Sequence, residues 1–206
     1  MQTERGLDRF VTFLDAVVAI AITLLVLPLA ELLDGAEQRT GLGTLLAGEA
    51  PQIGAFFLSF AVIAQMWLIH HRLVETVRSY DRAFLTANLL WILTIVLLPF
   101  VTQVAASYGT DRPAVALYIG TITLSSFCLT SISVLLWRRP GLRRDTAGPV
   151  APPWPSLVAS GLLVAALLVG TLVPGVHYWA MFLLFLSGPL ESAARRRTAP
   201  GQVATD

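Results

Sequence analysis

Asp15, Trp67, His70, His71 and Asn88 stand in stretches that otherwise carry almost no charge. An ionised side chain inside a bilayer costs about 2.5–3.5 kcal/mol on insertion scales, so groups of this kind line ion or proton paths or tie helices together. Their spacing suggests that they meet. Asp15 lies six residues past Arg9, about 9 Å along a helix, and Asn88 lies six residues past Arg82. Trp67 and His70 precede Arg72 on a segment running the other way, so these four groups share one depth if the three arginines mark one membrane face. Trp67, His70 and His71, spaced i, i+3, i+4, can present one helix face. Asp15 could then accept from an imidazole, an indole or an amide on a neighbouring helix. Two chemistries fit: a scaffold of interhelical hydrogen bonds, or a proton relay through His70 and Asp15. Arg9 is off the helix face of Asp15, which argues against a pair within the helix.

Other chemistries find no support. The chain has three histidines, and His177 belongs near the opposite membrane face, so His70-His71 lacks partners for a closed zinc site. No glycine loop for a nucleotide and no nucleophile context is present. Tyr108-Gly109 lacks the Thr-Val-Gly-Tyr-Gly run of a carbonyl filter. No enzyme activity, cofactor, resident metal or nucleic-acid partner is expected.

The elements that must position these groups follow from composition. Of 206 residues, 55% are hydrophobic and 13% charged, and the mean hydropathy is +0.71. A soluble domain carries about a quarter of its residues as charges. A helix crossing the ~30 Å hydrocarbon core needs about 20 mostly apolar residues, and such stretches recur along the chain. Spans are predicted at about 10–29 (interrupted only by Asp15), between 49 and 70, between 82 and 111, and over 113–137. Residues 146–190 hold no Arg, Asp or Glu and are too long for one span. They break at Pro174-Gly175, because proline cannot continue the helical hydrogen-bond ladder. The fold class is therefore an all-α integral membrane protein of six transmembrane helices, with residues 1–192 as one domain and 193–206 as a cytoplasmic tail suited to anionic headgroups.

Arginine placement orients it. All 14 basic residues are arginine. Twelve fall before the first span, between the second and third, after the fourth and after the sixth; the alternate loops hold only Arg39 and Arg112. The positive-inside rule then puts both termini in the cytoplasm. A cleaved leader is not expected, because Glu4 and Asp8 neutralise the start and Pro28 spoils cleavage after Ala30. Residues 35–48 read as an exterior loop with a short interfacial helix, and 149–155 as a stiff connector. Cys128 lies in an apolar stretch and, as the single cysteine, forms no intrachain disulfide.

On the first helix, Ile20, Leu24 and Leu27 fall at i, i+4, i+7 with Thr23 beside them, a pattern that on its own more often faces lipid or a neighbour than a pore. The flanking residues change that. Arg9-Phe10-Val11-Thr12-Phe13-Leu14-Asp15, followed by Ala19-Ile20-Ala21-Ile22-Thr23-Leu24-Leu25-Val26-Leu27, resembles the first-helix signature of the transmembrane protein 175 family, lysosomal and prokaryotic potassium channels marked by Arg-x-x-x-Phe-Ser-Asp. Ser59-Phe60 and Trp67-Leu68-Ile69-His70-His71-Arg72 agree on the second helix, and Asp81, Asn88-Leu89-Leu90, Leu98-Pro99-Phe100 and Thr102 on the third. The resemblance covers about residues 5–104. Leu14 departs from it by replacing the family's serine, which removes a hydroxyl from the polar cluster.

The resemblance implies a six-helix repeat assembling as a homotetramer in a bacterial plasma membrane, with the first helix of each subunit lining a central pore. Ile20, Leu24 and Leu27 would form hydrophobic constrictions and Thr23 a polar ring tied to potassium preference. Arg9, Phe13, Asp15, Trp67, His70 and Asn88 would form the supporting polar network. The permeant species would be potassium, and the partners other copies of the chain and membrane lipid. Apolar rings can gate by dewetting. A proton-coupled transporter or proton leak through Asp15 and His70, and a structural membrane subunit with no flux, are the rival expectations.

Overall fold

The computed structural model describes residues 4–34, 41–144, 152–173 and 175–178. The described residues are all-α apart from a single bridge. The helices are α1 (Glu4–Leu24), α2 (Leu27–Asp34), α3 (Leu42–Gly48), α4 (Ala50–Glu75), α5 (Arg82–Tyr108), α6 (Arg112–Arg138) and α7 (Trp154–Leu172). Among the described residues five segments are long and apolar enough to cross a membrane: α1 with α2, then α4, α5, α6 and α7. The expected sixth span, the tail, residues 35–40 of the exterior loop and the start of the 149–155 connector lie outside the described residues.

Local chemistry sets the helix ends. Asp81 caps α5, its Oδ1 accepting from the Phe84 amide at 2.8 Å. Pro51, Pro113 and Pro155 stand in the first turns of α4, α6 and α7, where a missing N–H costs nothing. Gly109 ends α5 at φ 55°, a left-handed conformation that a side chain would disfavour.

The first span, expected over 10–29, consists of two helices. α1 stops at Leu24 and α2 begins at Leu27. Pro28 has no N–H to give the Leu24 carbonyl, and the Leu25 and Val26 amides bond three residues back, to Ile22 and Thr23, at 3.3 and 3.2 Å. Ile20 and Leu24 therefore sit on one helix and Leu27 on the next.

α5 is central, packed against α1, α4 and α6, with α7 docked on α6. Trp91, Tyr118, Phe84, Leu14, Ile63 and Ile95 are fully buried, while Leu89, Leu90, Leu93, Leu97 and Phe100 of α5 point outward, as suits lipid contact. Hydroxyls stitch α6 to α7: Ser160 Oγ lies 2.9 Å from both Ser126 Oγ and Thr130 Oγ1, and the small Ala166 and Gly170 are buried further along α7.

At the arginine-rich end, the segments after α4 and α6 clasp each other. The Arg78 amide donates to Leu142 O at 2.9 Å, the Arg144 amide to Thr76 O at 2.8 Å, and Val77 bridges Arg143. Arg139 pairs with Asp81, the carboxylate that also caps α5. Asp81→Ala loses both roles and is expected to lower stability by about 1–2 kcal/mol. Arg139→Ala, which removes only a half-exposed ion pair, should cost at most about 1 kcal/mol. Thermal unfolding of the detergent-solubilised variants checks the order; equal losses would remove the cap from the explanation.

Candidate functional site: a polar network behind an open helix face

Two faces of α1 do different things. Leu7, Leu14, Val18 and Ala21, with Leu25 just beyond, are buried against the bundle, which for this helix means α4 and α5. The opposite face is the exposed one among the described residues: Phe13 is 53%, Ile20 58%, Leu24 42% and Leu27 52% exposed. Arg9, Thr12, Ala16 and Thr23 lie on this side too. Thr23 Oγ1 donates to Ile20 O at 2.8 Å. Its one proton is thus spent on its own backbone, and the oxygen's remaining lone pairs are free to accept or to meet a cation.

Between α1, α4 and α5 lies the polar cluster. Trp67 Nε1 donates to Asp15 Oδ1 at 2.8 Å. Asn88 Nδ2 donates to Phe84 O at 2.7 Å, which orients the amide so that its oxygen faces His70. His70 Nε2, 2.7 Å from that oxygen, must then be the donor. His70 also stacks flat on Trp91, with ring centroids 3.9 Å apart and planes within 9°. Trp67 stacks on His71, whose Nε2 lies 3.2 Å from Glu75.

The structure thus brings four of the predicted network residues into two pairs, Asp15 with Trp67 and His70 with Asn88. Among the described residues no hydrogen bond links Asp15 to His70, and Arg9 and Phe13 look outward rather than into the cluster. Leu14, at the position of the family's serine, is wholly buried among apolar side chains, so packing occupies the place of a hydroxyl. Sequence reasoning missed Trp91. Its signal was available, since Trp91 follows Asn88 at i+3 and so shares its helix face. A second buried cluster was also missed: Thr102 Oγ1 lies 2.7 Å from Ser59 Oγ, which lies 2.9 Å from the Tyr118 hydroxyl.

The family model of the endosomal/lysosomal potassium channel TMEM175 matches residues 9–99, the segment holding most of α1, both polar pairs and Pro99. That segment is similar to the TMEM175 family. The chain is 38% identical over 122 residues to a potassium channel of Chamaesiphon minutus, covering 58% of this chain and 59% of that one. A potassium channel of Streptomyces collinus is 37% identical over 100 residues, 48% of each chain. The human endosomal/lysosomal proton channel TMEM175 is 32% identical over 108 residues, 50% of this chain but 21% of its own. The chain thus spans about half to three fifths of the bacterial relatives, and groups with these prokaryotic-type members. With five described segments long and apolar enough to cross a membrane, it is a multi-pass membrane protein.

Proposed function

We propose that the chain is one subunit of a homotetrameric, potassium-preferring cation channel whose central pore is lined by α1 of each copy. The observation that carries this is the two-sidedness of α1. One face is packed as tightly as a core, and the other leaves Ile20, Thr23, Leu24 and Leu27 uncovered. Four such faces converging on an axis would make stacked apolar rings with a polar ring at Thr23, and an apolar neck resists wetting when closed. Potassium is the favoured ion because the bacterial relatives are named potassium channels. Arg9 and Phe13 share the open face, so they would join the polar network only through a neighbouring copy. The Asp15–Trp67 and His70–Asn88 pairs hold α1 and α5 onto α4 from behind and keep the lining helix in register.

A proton path is the second reading, because the animal relatives are named proton channels and Asp15 and His70 are titratable groups of one cluster between α1, α4 and α5. Purified protein in liposomes separates the readings. Potassium efflux that persists without a pH gradient supports the channel; flux that requires protons supports the relay; no flux leaves a structural subunit.

The topology proposed with it has six spans, the last between the Pro174-Gly175 break and residue 190, and both termini in the cytoplasm. With Cys128 replaced by serine, a cysteine at Gly43 should react with an impermeant thiol reagent in intact cells. One at Ala147 should react only after permeabilisation. The reverse pattern would invert the orientation.

A further inference from the structure

We infer that the backbone carbonyl of Leu24, deprived of its helical donor by Pro28, is an ion-coordinating group: four of these oxygens, one per subunit, supply polar ligands to a partly dehydrated potassium ion beside the apolar rings. The inference rests on the channel reading above and addresses what that reading lacks, since isoleucine and leucine side chains offer nothing to replace lost water.

The observations are local. A helical carbonyl at residue i bonds to the amide at i+4, and for Leu24 that residue is Pro28, which has no N–H. The helix breaks there, between Leu24 and Leu27, and the amides of Leu25 and Val26 are drawn to Ile22 and Thr23 instead. The break falls inside the 28-residue span Arg5–Leu32, at membrane depth. Backbone without its helical partner is tolerated at that depth where it is buried in protein or lines a watered cavity, not where it meets hydrocarbon. Burial does not account for Leu24, whose side chain is exposed along with those of Ile20 and Leu27. In the helical geometry that α1 keeps to its last residue, a carbonyl oxygen projects near its own Cα, which would set the Leu24 oxygen toward this open face.

The other side of the break is provided for. Leu25, Pro28 and Leu29 face a crevice lined also by Gln52 and Phe56 of α4 and by Pro99 of α5. There Gln52 Nε2 donates to the Pro28 carbonyl at 3.0 Å, which ties α2 to α4 and sets the angle of the break. The open side therefore gathers two oxygens within one residue of each other: Thr23 Oγ1, whose proton is turned back to Ile20, and the Leu24 carbonyl. Broken membrane helices elsewhere use freed carbonyls to hold monovalent cations, and carbonyl rings stand in for a hydration shell.

Two alterations test this in the assembled protein in liposomes, with potassium and sodium fluxes measured side by side. Pro28→Ala restores an N–H at the i+4 position and should cut the potassium-to-sodium ratio about tenfold or more while cation flux persists. An α-hydroxy acid in place of Leu25 turns the Leu24–Leu25 amide into an ester, weakens that carbonyl as an acceptor, and should shift the ratio the same way by a smaller factor. The ester leaves every side chain unchanged and removes besides only the long Leu25–Ile22 amide bond. An ester at Val26, which deletes the Val26–Thr23 bond but leaves the Leu24 carbonyl an amide, is the control for that loss. The Leu25 ester decides the matter if Pro28→Ala fails to assemble. A conducting wild type whose ratio survives the ester, or survives both changes, overturns the carbonyl ring and leaves the channel reading standing. A wild type that passes no cation overturns both.

Discussion

Replacing Ile20 with asparagine is expected to raise basal cation current by about tenfold or more, equivalent to removing ~1.4 kcal/mol from the barrier. Ile20 is the most exposed of the three apolar residues on the open face of α1 and lies on the unbroken part of the helix, before the Leu24–Leu27 interruption. In a four-fold assembly it would set the narrowest closed ring, with Leu24 and Leu27 beyond it. Four isoleucines leave no room for hydrated ions and offer no polar atoms, whereas four carboxamides would hold water in the neck. Ile22→Asn is the control. Two residues on, it points about 200° away, and it is half-buried and packed against the core, so it should damage stability without raising current. Thr23→Ala should instead shift potassium-over-sodium preference, because it removes a free acceptor oxygen without widening the apolar ring much. Planar-bilayer recordings of the assembled protein decide among these. Equal gains at positions 20 and 22, or no change at 20, would exclude α1 as the pore lining.

His70→Ala should have the largest effect on stability, a loss of about 2–4 kcal/mol from the cavity beside Trp91 and the Asn88 oxygen left unpaired in a dry site. The ring is buried, stacked 3.9 Å from Trp91 and hydrogen-bonded at 2.7 Å. Asp15→Ala should cost less, about 1–2 kcal/mol, because it strands one half-buried indole N–H. Both variants are expected to lower the unfolding temperature or the tetramer fraction while leaving the potassium-to-sodium ratio of surviving channels unchanged. Size-exclusion profiles and melting curves, read together with flux, separate scaffold from relay. A variant that stays a stable oligomer but loses all flux would favour proton handling through these groups.

The residues that the sequence singles out owe their legibility to one-dimensional physics. Hydropathy must satisfy a solvent of fixed thickness, so the positions of the described spans can be read from charge-free runs. Arginine counts carry the proposed orientation for a similar reason, since translocating a loop depends on its own charge. Asp15, Trp67, His70 and Asn88 stand out because polar groups are rare in such segments, and Asp15 and Asn88 each follow an arginine by six residues.

What rotation and crossing of helices decide could not be read that way. Asp15 had three kinds of donor within plausible reach. Only the packing of α1 against α4 selects the Trp67 indole, and only the meeting of α4 with α5 turns His70 away to Asn88 and onto Trp91. The Ile20, Leu24 and Leu27 stripe reads from sequence as one helical face, yet a single missing N–H at Pro28 divides it between two helices. Whether a leucine faces lipid, core or an open face is likewise absent from its identity, because lipid and protein interior are almost equally apolar. Composition put this chain in the membrane and marked its polar residues; the tertiary arrangement alone chose their partners and left one side of α1 uncovered.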